Sequence, residues 1–298
     1  MLRLRRISAY LFATLAALLL VCMAMAKPVD PHPYFSDERF QVIAHRGGRG
    51  LMPENTLAAF QYVDSLGVDV LEMDIHASAD GHLVVIHDDS VGRTTNGSGK
   101  VDALTLDQLQ ALDAAYNWKG PDGSFPHRGS GVRIPHLEEV LQRFSHRRML
   151  IEIKPNSAQV AQQLCNTLTR FSMDEKTVVA SFHSDALEAF SRACPQTPVS
   201  ATSSQVGLYT LLHLLRLDGA YLNPPIAFQV PERIGSLRLV DERFVTSVHE
   251  RAAQVHVWTV NKPDAMRRLI EVGVDGIITD YPDRLLSILN RTPEHSTP

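Results

Sequence analysis

From residue 137 to residue 289 the chain alternates short β-rich runs with stretches of helical periodicity, and this alternation restricts the fold more than any other feature. Helices are expected over 137–144, 158–171, 184–193, 206–215, 241–253, 263–272 and 283–289, and strands over 149–153, 177–182, 199–201, 220–222, 255–260 and 276–279. Earlier come a strand leading into His45, a helix from Pro53 to Leu66, and a strand over 70–75, which bring the alternation to eight units. With no glycine-rich dinucleotide turn, the pattern predicts an α/β protein, a TIM (β/α)8 barrel over 39–292, with a doubly wound sheet as the alternative.

One segment interrupts the pattern. After the strand over 70–75, Ala79-Asp80-Gly81 turns the chain back into an apolar run ending at His87. From about 90 to 135 the periodicity then weakens, broken by Asn96-Gly97-Ser98-Gly99 and Lys119-Gly120-Pro121-Asp122-Gly123, which predicts a small subdomain inserted after the second strand. It should hold one helix, over 106–112, with Tyr116, Trp118 and Phe125 forming a satellite core or capping a pocket.

The amino terminus has a different character. Arg3, Arg5 and Arg6 precede an apolar run closed by Ala24-Met25-Ala26, the arrangement of a secretory signal peptide over 1–26. An uncleaved anchor is the alternative. Cys22 follows the bulky Val21 rather than the small residue that a lipid-attachment site needs. Residues 27–38, with three prolines, read as a linker. The predicted location is therefore exported, periplasmic or secreted, with no stable membrane partner after cleavage. Of the 29 basic residues three fall in the signal, so 26 stand against 33 acidic ones, a formal charge of −7 that argues against nucleic-acid binding. Cys165 and Cys194 remain, either as a disulfide or as two buried thiols.

In a barrel, chemistry sits at the carboxyl ends of the strands. The polar residues expected there are His45, Glu72, Asp74, Glu152, Lys154, His183, Trp258 and Asp280. Glu72 and Asp74 are two apart on a strand and share a face, as do Glu152 and Lys154. Three carboxylates without a thiolate describe a hard oxygen site suited to Mg²⁺ or Ca²⁺, although a lone strand glutamate more often makes a salt bridge, here Glu152 with Lys154. Arg46 and Lys154 supply positive charge for a phosphate or a carboxylate, and His45 and His87 can act as base and acid near neutral pH. The residues alone indicate a metal-dependent hydrolase or lyase.

The ordered runs His45-Arg46-Gly47, Pro53-Glu54-Asn55-Thr56, Glu72-x-Asp74, His87-Asp88, Arg93-Thr94-Thr95, Glu152-x-Lys154, Trp258-Thr259-Val260-Asn261 and Asp275 to Pro282 resemble the glycerophosphodiester phosphodiesterase family. That resemblance implies a barrel with an insertion after its second strand, and hydrolysis of a small glycerophosphodiester to glycerol 3-phosphate and an alcohol such as choline or ethanolamine. By position it implies His45 as general base and His87 as general acid. Glu72, Asp74 and Glu152 would be metal ligands, with Arg46, Lys154 and Trp258 at the substrate. His136 departs from the family's usual small hydroxyl residue, and His76 shares a strand face with Asp74. A lysophospholipid substrate and a non-catalytic phosphodiester-binding module are the competing readings; a glycosidase would need two carboxylates flanking a sugar rather than a cluster.

Overall fold

The computed structural model describes residues 10, 14, 17, 21–36 and 39–291. The predicted signal peptide and residue 292 fall largely or wholly outside them. In chain order the elements are β1 (Gln41–Ala44), α1 (Leu57–Ser65), β2 (Val70–Ala77), β3 (Leu83–Val85), α2 (Leu106–Gln110), α3 (Leu137–Arg143), β4 (Arg148–Ile153), α4 (Ala158–Arg170), β5 (Thr177–Ala180) and α5 (Ser184–Ala193). They continue with α6 (Ser203–Leu214), β6 (Ala227–Pro231), β7 (Arg233–Ile234), β8 (Leu237–Arg238), α7 (Glu242–His249), β9 (Gln254–Trp258), α8 (Pro263–Val272), β10 (Gly276–Thr279) and α9 (Pro282–Ile288).

Seven strands pair in parallel in the order β5, β4, β2, β1, β10, β9, β6. Single bridges close the ring, Val199 to Val179 and Ser200 to Ala227, so the short 199–200 segment serves as the eighth stave of a TIM-like barrel. Side chains alternate across each strand. Ile43, Val70, Leu150, Val178 and Ile278 fill the barrel, while Val42, Leu71, Met73, Met149, Ile151 and Ile277 pack outward under the helices. Helix starts are fixed by Thr56, Ser157, Thr202 and Asp241, whose side-chain oxygens accept the N–H three residues on. Each such cap is worth about 1 kcal/mol.

Several expectations are corrected. The strand expected over 220–222 is absent: Asp218–Ala220 form a turn of 3-10 helix and the strand is β6, which pairs with all of β9. The run ending at His87 stops as a strand at Val85 and lies antiparallel to β2. Within the 27–38 stretch read as a linker, Pro33–Phe35 make a 3-10 turn and Tyr34 is buried with the residues filling the barrel. Its carbonyl accepts from Arg148 Nη1 at 2.9 Å. The satellite core under the 90–135 segment is aliphatic, built from Val84, Ile86, Val91, Val101, Leu109 and Ile134. Tyr116 and Phe125 instead sandwich the Arg128 guanidinium at 4.2 and 3.6 Å, because a stacked cation keeps both rings partly wet. Cys165 of α4 and Cys194 are joined as a disulfide, Cα atoms 5.6 Å apart.

Candidate active site

Strand alternation delivers the carboxylates. Val70 points into the barrel, so Glu72 and Asp74 do as well, and Leu150 sets the same direction for Glu152 and Lys154. β2 and β4 run in parallel register with Asp74 opposite Glu152. One oxygen from each of Glu72, Asp74 and Glu152 lies within 4.8 Å of the others. Lys154 Nζ donates to Glu152 Oε1 at 2.8 Å and stands 3.3 Å from Asp74 Oδ1.

β1 ends in a sharp turn in which Arg46, Gly47 and Gly48 have φ of 50°, 76° and 75°. A Cβ on Gly47 would lie 2.9 Å from the Ala59 methyl, and one on Gly48 2.9 Å from Val63, both in α1. Glycine is therefore what lets this turn press against the helix. The turn aims the Arg46 backbone N–H at Glu72 Oε2, 2.6 Å away. Its guanidinium reaches Glu54 at 2.9 Å and Asp74 at 3.3 Å. Asn55 donates to Asp74 Oδ2 at 2.9 Å.

Both histidines are braced by carboxylates. His45 Nδ1 meets Asp280 Oδ1 at 2.6 Å, and Asp280 is held in turn by Asn261 Nδ2 at 2.8 Å and Arg49 Nε at 3.0 Å. His87 Nδ1 meets Asp88 Oδ1 at 2.7 Å. Arg93 then spans Asp88, at 2.5 Å, and Glu54, at 2.7 and 2.9 Å, so a continuous ionic chain runs from His87 to Arg46 and the carboxylates. His76 supports this side through Nε2 on the His87 carbonyl at 3.1 Å. His136 starts α3 and packs edge-on against His82 at 5.2 Å, apart from the cavity.

Burial, followed by the neighbouring Asp74 charge, pushes Glu72 up to about 8. Burial also dominates at Glu152, which is raised. Asp74 is held below the usual carboxylate range because Lys154, Arg46 and His87 outweigh its desolvation. Three carboxylates this close repel one another, and their oxygen-only donors fit a hard divalent ion. His45 is raised, since Glu72 and Asp280 overcome its burial, whereas His87 is lowered by burial.

His45, Arg46, Glu72, His87, Glu152 and Lys154 line one cavity of about 520 Å³. Phe182 and Trp258 meet edge to face at 5.9 Å on its wall. Trp118 lies outside it, donating to the Arg49 carbonyl at 3.1 Å beside a second cavity of about 340 Å³. The structure thus brings His45, Arg46, Glu72, Asp74, His87, Glu152, Lys154 and Trp258 together at one end of the barrel. His183 is the exception among the strand-end residues: it precedes α5 and does not line the cavity. The bracing role of Asp280, Asn261, Asp88, Arg93 and Glu54 is not legible in the sequence, although each stands in a motif that could prompt the question.

The sequence pattern of the glycerophosphoryl diester phosphodiesterase family matches residues 45–284. The chain is 36% identical over 252 residues to YhdW of Bacillus subtilis (strain 168), covering 82% of this chain and 96% of that one. It is 33% identical over 256 residues to the glycerophosphodiester phosphodiesterase of Caldanaerobacter subterraneus subsp. tengcongensis, covering 84% and 98%. Among solved structures, the Oleispira antarctica phosphodiesterase OLEI02445 in complex with the product sn-glycerol-3-phosphate aligns with a TM-score of 0.66 at 25% identity, covering 84% of this chain and 96% of that one.

Proposed function

The chain belongs to the glycerophosphoryl diester phosphodiesterase family, and we propose that it hydrolyses glycerophosphodiesters, with Mg²⁺ or Ca²⁺, to glycerol 3-phosphate and a free alcohol. The observation that carries this reading is the meeting, in one cavity, of two carboxylate-braced histidines with an all-oxygen acid cluster flanked by Arg46 and Lys154. Glu72, Asp74 and Glu152 would hold the cation. When bound it supplies charge neutralisation and polarisation at a non-bridging phosphate oxygen.

The chain's own groups account for the proton movements. Asp280 occupies His45 Nδ1, which fixes the tautomer and leaves Nε2 to take the proton of the nucleophile, either water or the neighbouring glycerol hydroxyl. As the new P–O bond forms, the bond to the alcohol breaks. His87, with Nδ1 on Asp88, returns a proton from Nε2 to the departing oxygen. Where the glycerol hydroxyl attacks, the product is a cyclic phosphate, and water, losing its proton to the now neutral His87, opens it to glycerol 3-phosphate as His45 gives its proton to the ring oxygen. Arg46 and Lys154 stand where charge accumulates on the phosphoryl group. Trp258 and Phe182 offer an apolar wall to the glycerol carbons.

The reading is tested with a panel of glycerophosphodiesters and lysophospholipids assayed with Mg²⁺, Ca²⁺ or a chelator. Release of glycerol 3-phosphate from glycerophosphocholine, abolished by chelation and restored by one of the two ions, is the expected result. Full activity in chelator would remove the metal from the account, and turnover of lysophospholipids alone would replace the substrate. We also propose export with cleavage after Ala26, supported by the three arginines and the Ala24-Met25-Ala26 signal. Protein from the exported fraction is expected to begin at Lys27. Intact Met1 in a membrane pellet would show an anchor instead.

A further inference from the structure

The fifth helix of the ring is built unlike its neighbours. α4 and α5 show solvent Gln162, Asn166, Arg170, Asp185, Glu188 and Arg192, as surface helices do. α6 buries Tyr209, Thr210 and His213 against the barrel, yet its outward face is also apolar. Leu208, Leu211, Leu214 and Leu215 fall at helical spacing and are each more than half exposed. The pattern extends beyond one helix. Tyr62 and Tyr116 apart, every exposed large apolar side chain described within 39–291 lies between Phe182 and Leu237. The tip of the β7–β8 hairpin adds Ile234 and Leu237. Ser203 and Val206 of α6 and Pro231 before the hairpin line the same active-site cavity, so ridge and hairpin leave one rim.

Charge selects the occupant. In a net acidic chain this patch carries no acid between Glu188 and Asp218 or between Glu232 and Asp241, while Arg216, Arg233 and Arg238 are exposed on it. Leucines on one face with arginines at the margins match the boundary of an anionic bilayer, where apolar side chains enter the acyl region and cations meet headgroups.

We propose that the α6 ridge and the β7–β8 hairpin form a docking surface for an anionic phospholipid bilayer, holding the active-site mouth at the membrane surface. This departs from the expectation of no membrane partner and holds whatever diester the site cleaves. A second copy of the chain, the other occupant an apolar face could take, is an outcome of the test.

The test places tryptophan on the ridge, Leu211→Trp, and diametrically across the barrel on α1, Gln61→Trp, in the full chain. Each protein is mixed with phosphatidylcholine–phosphatidylglycerol vesicles whose acyl chains are brominated, and quenching beyond that of the parent is read. For a face seated at the headgroup–acyl boundary, quenching at Leu211→Trp should exceed that at Gln61→Trp by about threefold or more. Equal quenching at both, or none at Leu211→Trp, overturns the proposal even if the amino-terminal segment carries the protein to the vesicle. Shielding of Leu211→Trp from iodide without lipid, rising with protein concentration, assigns the face to a second copy and overturns it as well.

Discussion

Glu72→Gln is expected to leave the metal-free protein as stable as the parent, or more so, and yet to cut turnover by about 100-fold or more, the several kcal/mol that a bound cation contributes to phosphoryl chemistry. The two halves share one cause. Glu72 is buried beside Asp74, and its carboxyl is pushed from 4.5 to about 8. Because the folded protein binds this proton more tightly than the unfolded chain, the Glu72 contribution to metal-free stability is present below about 4.5 and is lost as pH rises through about 8. Glutamine keeps an oxygen for the Arg46 N–H, which lies 2.6 Å from Oε2, and removes the charge that the site cannot afford without a cation. The variant's metal-free melting temperature should therefore vary less over that window. The parent should gain stability on adding Mg²⁺ or Ca²⁺, by mass action on the folded state, and the variant should gain much less. Calorimetry with and without cation reads all of this. A parent that gains nothing from either ion, or a variant with near-normal turnover, would remove Glu72 from the metal assignment.

The period of two makes the acid cluster legible. Glu72-x-Asp74 and Glu152-x-Lys154 reveal a shared face by their spacing alone, because a strand leaves no other choice. Strand pairing adds only that Asp74 stands opposite Glu152. Long-range pairs leave no such local trace. Asp280 braces His45 across 235 residues, and the sequence places each at a strand end without saying that β1 and β10 are neighbours. The sixth strand escapes local rules for a different reason. β6 follows Pro224-Pro225 and ends at Pro231, so those rules read a loop, whereas five residue pairs with β9 make it a barrel stave. Tyr34 is hidden likewise: a proline-rich stretch predicts a linker, and only the closed barrel supplies the interior that buries the ring.

The two histidines should separate by leaving group, and the electrostatics make that separation informative. A general acid matters most when the departing alcohol is a poor leaving group, and a general base matters whatever departs. If His87 protonates the alcohol, His87→Ala should cost about 10²–10⁴-fold in kcat/KM on glycerophosphocholine and far less on a p-nitrophenyl diester, while His45→Ala impairs both. Without a cation the two groups lean the other way. His45 is raised by Glu72 and Asp280 against its burial, and burial lowers His87. A divalent ion on the carboxylates would offset the Glu72 charge that raises His45, returning it toward the neutral form a base needs. The low setting of His87 is opposed by its bond to Asp88, which favours the protonated ring. Exchanged roles predict the mirror result, with His45→Ala sensitive to the leaving group and His87→Ala indifferent. Equal losses in both variants on both substrates would take acid–base work from the pair and leave them positioning the phosphate.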